Sequence, residues 1–176
     1  MIFKIRAILD TEQDVVRTLL IHRKSSLEDL HYALIDSFGF EPGQMASFYR
    51  TDEEWTQGEE IPLMSMDDGP NAVDMINQSI EQTIEDRGEK LLYVYDFFSM
   101  WTCFIELIEE LPSTEYDLPY LVMSVGERPE QAPEKSFDGK TPIDPYSDEA
   151  LFGEDFNDLE SGGGFENIDD LDLDTF

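Results

Sequence analysis

The chain reads as an α+β protein. An antiparallel or mixed sheet is expected, with one well-marked helix after an N-terminal hairpin, a second helix, and an irregular acidic C-terminal extension. Three observations predict this class. Residues 2–9 and 15–22 are short runs rich in Ile, Val, Phe and Leu around a polar break. Leu27, Leu30, Leu34 and Phe38 recur at helical spacing. Two apolar runs, 91–98 and 101–108, carry the strongest strand pattern in the sequence.

The first two runs flank Asp10-Thr11-Glu12-Gln13-Asp14, a polar and turn-prone stretch, so they predict an antiparallel hairpin. Ser25 and Ser26 then precede Glu28 and Asp29, the arrangement in which a serine hydroxyl accepts from an orphan amide of a first helical turn. Gly39 suits a left-handed stop, which places a helix over 26–38. Ala46 to Tyr49 and Glu60 to Met64 read as shorter strands around the loop Thr51 to Gly58. After the turn signal Asp68-Gly69-Pro70, the spacing of Val73, Ile76, Ile80 and Ile84 predicts an amphipathic helix ending near Gly88. The runs 91–98 and 101–108, joined by Ser99-Met100, predict a central hairpin. The first is apolar at both parities, as in a strand covered on both faces, with helices on one side and loops or the tail on the other. Tyr120 to Val125 supplies a further strand. Beyond Arg128 the composition turns to Pro, Glu, Asp and Gly, so the domain is drawn over 1–127 and the acidic extension over 128–176.

The chain of 176 residues suits one core with an appendage. Its 41 acidic against 11 basic residues give a formal charge of −30, a field that repels phosphate backbones and anionic membrane. The expected partner is therefore a basic protein, with no direct nucleic acid and no membrane; solubility or a weakly halophilic adaptation accounts for the same charge. One cysteine, Cys103, cannot close an internal disulfide, which suits a reducing cytoplasm. No signal-peptide pattern opens the sequence and no apolar run is long enough to span a bilayer. A cytoplasmic protein is the expectation.

Three strings share a pattern with a known family: Val16-Arg17-Thr18-Leu19-Leu20-Ile21; Leu27-Glu28-Asp29-Leu30-His31 leading to Ser37-Phe38-Gly39-Phe40; and Tyr93-Val94-Tyr95-Asp96-Phe97 before the run from Trp101 to Leu107. In these the chain resembles the plasmid pRiA4b ORF-3-like family (MM3350-like domain) over roughly its first 125 residues. The resemblance implies an α+β fold and a gene often linked to mobile DNA, and it implies no established activity. The chain departs from the family pattern where Phe98-Ser99-Met100 replaces a Gly-Asp-Asp stretch, and where a Pro-Pro-Glu-Asp-type segment is incomplete after Gly126-Glu127-Arg128-Pro129.

Candidate chemistry is sparse. His22 and His31 have no second nitrogen or thiolate at zinc spacing, and His31 reads as a boundary residue at the sheet edge. No nucleophile elbow, phosphate loop or Cys-x-x-Cys pair occurs, and no cofactor is expected. Asp96 and Glu106 are the carboxylates embedded in the central hairpin and the candidates for a divalent ion. A two-residue turn at Ser99-Met100 puts them on opposite faces, while a three-residue loop brings them to one side. The simpler reading has Asp96 capping the turn and Glu106 facing water or a basic side chain. Tyr93, Tyr95, Phe97, Phe98, Trp101 and Phe104 form either a core or a stacking platform, and the missing positive groove favours the core. Phe40, Phe48, Tyr49 and Trp55, near the loops, are expected to be partly exposed.

From Ser147 to Phe176 there is no lysine or arginine, and acids alternate with apolar residues on both sides of Gly162-Gly163-Gly164. Such stretches usually stay disordered until they dock on a partner; a solvated tail that keeps the protein soluble, and apolar tail residues packed back on the chain's own exposed aromatics, are the other two readings. The expected docking residues are Phe156, Phe165, Ile168, Leu171, Leu173, Phe176 and Trp55. The sequence thus favours a non-catalytic interaction or regulatory module that binds a protein partner, with a phosphate-mimicking inhibitor of a DNA-binding protein as a special form. The alternative is a metal-dependent hydrolase or nuclease-like enzyme using Asp96, Glu106, Asp52, Glu53 and Glu54.

Overall fold

The structure, a computed structural model, describes residues 1–67 and 69–134. They lie within one compact unit, Met1–Pro142. Apolar alternation makes β1 (Ile2–Leu9) and β2 (Val15–His22) an antiparallel hairpin, with Ile2 opposite His22 and Leu9 opposite Val15. Helix α1 (Leu27–Phe38) follows. Ser26 accepts from the Asp29 amide while Asp29 accepts from the Ser26 amide, so two orphan donors of the first turn are satisfied reciprocally. Gly39, at φ 69°, ends the helix in the conformation that a Cβ disfavours. Its apolar stripe, Leu27, Leu30, Leu34 and Phe38, is buried, which stabilises the fold by roughly 2 kcal/mol per side chain.

The remaining elements are β3 (Ala46–Thr51), β4 (Gln57–Pro62), the short helix α2 (Ile80–Thr83), β5 (Lys90–Tyr95), β6 (Trp101–Leu111) and β7 (Tyr120–Val125). Among the described residues seven strands form one sheet in the order β4-β3-β5-β6-β1-β2-β7, and every neighbouring pair is antiparallel. One face carries α1 and the main core, in which Phe3, Ile5, Phe48, Tyr93, Cys103 and Leu107 meet the helix stripe. The other face has a smaller cluster of Tyr49, Leu92 and Val94, with Phe97, Met100 and Phe104 packed against it. The expectation of a central strand covered on both sides, by a helix and by loops, matches this arrangement.

Three expectations change. The helix predicted from Val73 shrinks to Ile80–Thr83, because the backbone before it serves its neighbours. The Met75 amide donates to Pro62, while the carbonyls of Met75 and Gln78 accept from Glu28 and Leu27, two orphan amides at the start of α1. Asp74 also takes the Asn77 amide at 3.0 Å, a local bond that competes with helix. Next, β4 begins and ends before the predicted 60–64. Finally, β5 ends at Tyr95, opposite Trp101, so five residues connect the central hairpin, instead of the two or three read from sequence. Asp96 at φ 54° and Met100 at φ 57° close that turn through a Met100 amide to Asp96 carbonyl bond.

Candidate functional site

The embedded carboxylates do not converge. Asp96 lies in the β5–β6 turn, where its Oδ1 accepts from the Phe98 amide at 3.2 Å and its Oδ2 from the Ser99 hydroxyl at 2.8 Å. Glu106 sits opposite Lys90, six ladder positions from Asp96, on the order of 20 Å away along the strand. It bonds the Arg6 guanidinium at 2.6 Å. Asp52 is likewise occupied locally, with Oδ1 accepting the Glu54 and Thr56 amides at 2.9 Å each. Those bonds, Thr56 first, hold its carboxyl below the usual range. Among the described residues no group of three or more His, Cys, Asp or Glu is arranged to hold a metal ion.

His31 is a core residue, which corrects its expected place at the sheet edge. It follows Leu27 by one helical turn and so shares the buried stripe. Its Nδ1 lies 2.8 Å from the Tyr93 hydroxyl, and the rings of Tyr32, Tyr93 and Tyr95 surround it. Burial lowers its pKa to about 4 and pushes the Tyr93 phenol and the Cys103 thiol upward. The Tyr95 hydroxyl leaves this cluster to bond the Glu41 carbonyl.

The aromatics divide differently from expectation. Phe40, Phe48 and Tyr49 are buried rather than partly exposed. Phe98, assigned to the core set, stands 98% exposed at the tip of the central turn. Trp55 is half-buried and folds its loop over the second sheet face, edge-on to Phe104 at 4.9 Å, with the Lys90 ammonium 4.9 Å from its ring. It is committed to packing this face, with one side toward solvent. The other expected docking residues, Phe156, Phe165, Ile168, Leu171, Leu173 and Phe176, lie outside the described residues.

The strand that sequence reasoning placed but did not single out is β7. Among the described residues it is an edge of the sheet, and all six of its residues are exposed. Tyr120, Leu121, Val122, Met123 and Val125 range from 38% to 45%, so both faces of the strand are open, and none of its residues joins the main core. Its residues carry no charge. By contrast the opposite edge, β4, presents Glu59 and Glu60, the kind of charge that blunts an edge against strange strands. Val122 is the extra residue of a bulge, since Met123 pairs with Thr18 and Leu121 with Leu19.

Two arginines fix β7 in place. Arg17, buried, donates from Nη1 to the carbonyls of Val125 (2.9 Å) and Gly126 (3.1 Å) and from Nε to Ser37 (2.7 Å) in the last turn of α1. Its guanidinium also faces the Phe38 ring at 5.0 Å. Arg128 donates to the Phe38 and Gly39 carbonyls and lies against Phe40 and Trp101. The negative end of α1, with no basic residue in its own last turn, is thus met by cations from β2 and from the chain after β7. Gly126 is required here by two features: its φ is 69°, and a Cβ would sit 2.1 Å from the Asp14 carbonyl oxygen. A signal for β7 was present in the sequence. Tyr120 to Val125 is uncharged and lacks polar alternation, yet it lies between Asp117 and Glu127.

Comparison with known proteins places the chain among relatives of undefined activity. A family sequence model described as "Plasmid pRiA4b ORF-3-like protein" matches residues 1–135. No curated protein matches the chain. Among solved structures, the crystal structure of a protein of unknown function, MM3350 from Methanosarcina mazei Go1, is similar with a TM-score of 0.58 at 17% identity, covering 70% of this chain and 68% of that one. That likeness shows the fold. No helix among the described residues is long and apolar enough to cross a membrane.

Proposed function

This chain belongs to the plasmid pRiA4b ORF-3-like family, and on that premise we propose that it is a non-catalytic interaction module whose folded domain receives an extended segment of a protein partner along the free edge of β7. The observation that carries this reading is the contrast between the two edges of one sheet. A bare apolar edge presents a row of unpaired amides and carbonyls, a template for an added strand, and proteins normally blunt such an edge. Here β4 is blunted by carboxylates, whereas β7 is uncharged, open on both faces and held by Arg17 and Gly126. A rigid edge lowers the ordering cost of binding. In this reading the apolar residues of the acidic C-terminal stretch, Phe156 to Phe176, give a second attachment, their carboxylates meeting basic residues of the same partner.

Panning a random peptide library on the intact protein tests the proposal. Extended peptides are expected to enrich on the native chain and to be lost on Val122→Pro. That substitution falls on the bulge residue, which has no partner on β2, so thermal stability should change little while pairing is blocked. Enrichment that is absent, or that survives the substitution in a folded protein, contradicts it.

A further inference from the structure

The charges at the two ends of β7 specify what kind of segment the edge accepts. Before the strand, Glu115 and Asp117 flank Tyr116, whose ring stacks on Tyr120 at 4.1 Å and 7° and so fixes this acidic stretch at the start of the edge. After it, the close approach of Gly126 to the Asp14 carbonyl brings Glu127 beside Asp14 and the β1–β2 turn, which also carries Glu12. All five carboxylates are exposed, and none is in an ion pair with a described cation. Of the nine Lys and Arg within residues 1–134, Lys4, Arg6, Arg23 and Arg50 pair with other carboxylates. Arg17 and Arg128 bond only backbone carbonyls and keep their charge, so at the C-terminal end two guanidiniums stand against the three carboxylates of Glu12, Asp14 and Glu127, which leaves that end net negative. The edge is therefore an uncharged strand roughly 20 Å long with a negative site at each end.

We infer that the occupant is an extended partner segment with alternating apolar residues in its centre and Lys or Arg at both ends, some six to eight residues apart by strand rise. This deepens the reading of β7 as a docking edge and rests on it. The same charges argue against two other occupants, a second copy and the chain's own acidic end. A second copy pairing antiparallel would set Glu115 and Asp117 against Asp14 and Glu127, and a parallel copy would set each acidic end against itself. The chain's own residues 165–176 carry Glu166, Asp169, Asp170, Asp172 and Asp174 with no basic residue, so they too meet repulsion. Only a basic-ended strand gains at both ends.

Calorimetric titration of the full chain with three synthetic peptides separates the possibilities. The first is Lys-Arg-Val-Thr-Val-Thr-Val-Lys-Arg; the second replaces its four basic residues with Glu; the third keeps the basic ends and replaces the central Val and the Thr before it with Pro, which removes an amide on each side of the strand and so blocks pairing in either orientation. The first peptide alone is expected to bind, weakening at least about tenfold between about 50 mM and about 300 mM salt. Combined Glu115→Lys, Asp117→Lys and Glu127→Lys substitutions, all on exposed residues, are expected to reverse the preference toward the Glu-ended peptide. Equal binding of the first two peptides would overturn the charge inference and leave the docking edge standing. Equal binding of the first and third, or of none, would overturn the edge itself. Self-association in sedimentation that Val122→Pro abolishes would assign the edge to a second copy instead.

Discussion

At the residue scale, His31 is the group whose environment makes the most definite claim. A buried imidazole with a tyrosine hydroxyl at 2.8 Å and three aromatic rings around it is held neutral, with its pKa lowered from 6.5 to about 4 by burial. The unfolded chain binds the proton first as pH falls. The contribution is therefore complete above pH 6.5 and is lost progressively toward pH 4, by about 3 kcal/mol in all. Denaturant melts across that range are expected to show this loss in the native protein, with a clearly shallower slope in His31→Gln; equal slopes would show that His31 does not couple folding to protons. The sequence held part of this. His31 falls one turn after Leu27 and belongs geometrically to the buried stripe, yet a polar residue type directed the reading to the sheet edge. Asp96 and Glu106 were legible in their simpler roles, turn cap and partner of a basic residue. Their separation depended on the five-residue turn, which two left-handed non-glycine residues, Asp96 and Met100, make possible and composition does not announce.

At the scale of elements, the hairpin of β1 and β2 and helix α1 follow from local rules alone: period-two alternation, a reciprocal serine and aspartate cap, and a glycine stop. The stretch from Val73 does not, because its carbonyls are claimed by the first turn of α1, nearly fifty residues earlier, and no local pattern records that debt. The joint between α1 and β7 was also invisible, since Arg17 and Arg128 come from different segments to meet one helix end. Arg17→Met should measure that joint. It removes the donors to Ser37, Val125 and Gly126 while keeping much of the aliphatic volume, and a loss of about 3 kcal/mol is expected. Amide exchange at β7 should rise more than in β5 or β6. Arg17→Lys should not restore it, because one ammonium cannot reproduce a fork that spans two elements. A loss below about 0.5 kcal/mol, typical of a surface site, would show that the clamp is dispensable.

At the scale of the whole molecule, charge and topology act together. Under the docking proposal, a net charge of −30 opposes pairing of the apolar edge with a second copy, because each copy's acidic ends repel the next. The excess of acid was plain from composition and pointed to a basic partner. Where that partner would sit was not, because strand order is a property of long-range pairing: nothing local says that β7 lies beside β2 rather than beside β6. The central claim is that β7 is a docking edge. The most direct measurement is amide NMR on the full chain as the basic-ended Val-Thr peptide is added. The expected result is perturbation and new exchange protection centred on Tyr120 to Val125, passing next to β2. Unchanged β7 amides, with perturbation centred instead on the face around Trp55 and Phe104, would contradict the claim and move the binding surface to the opposite half of the sheet.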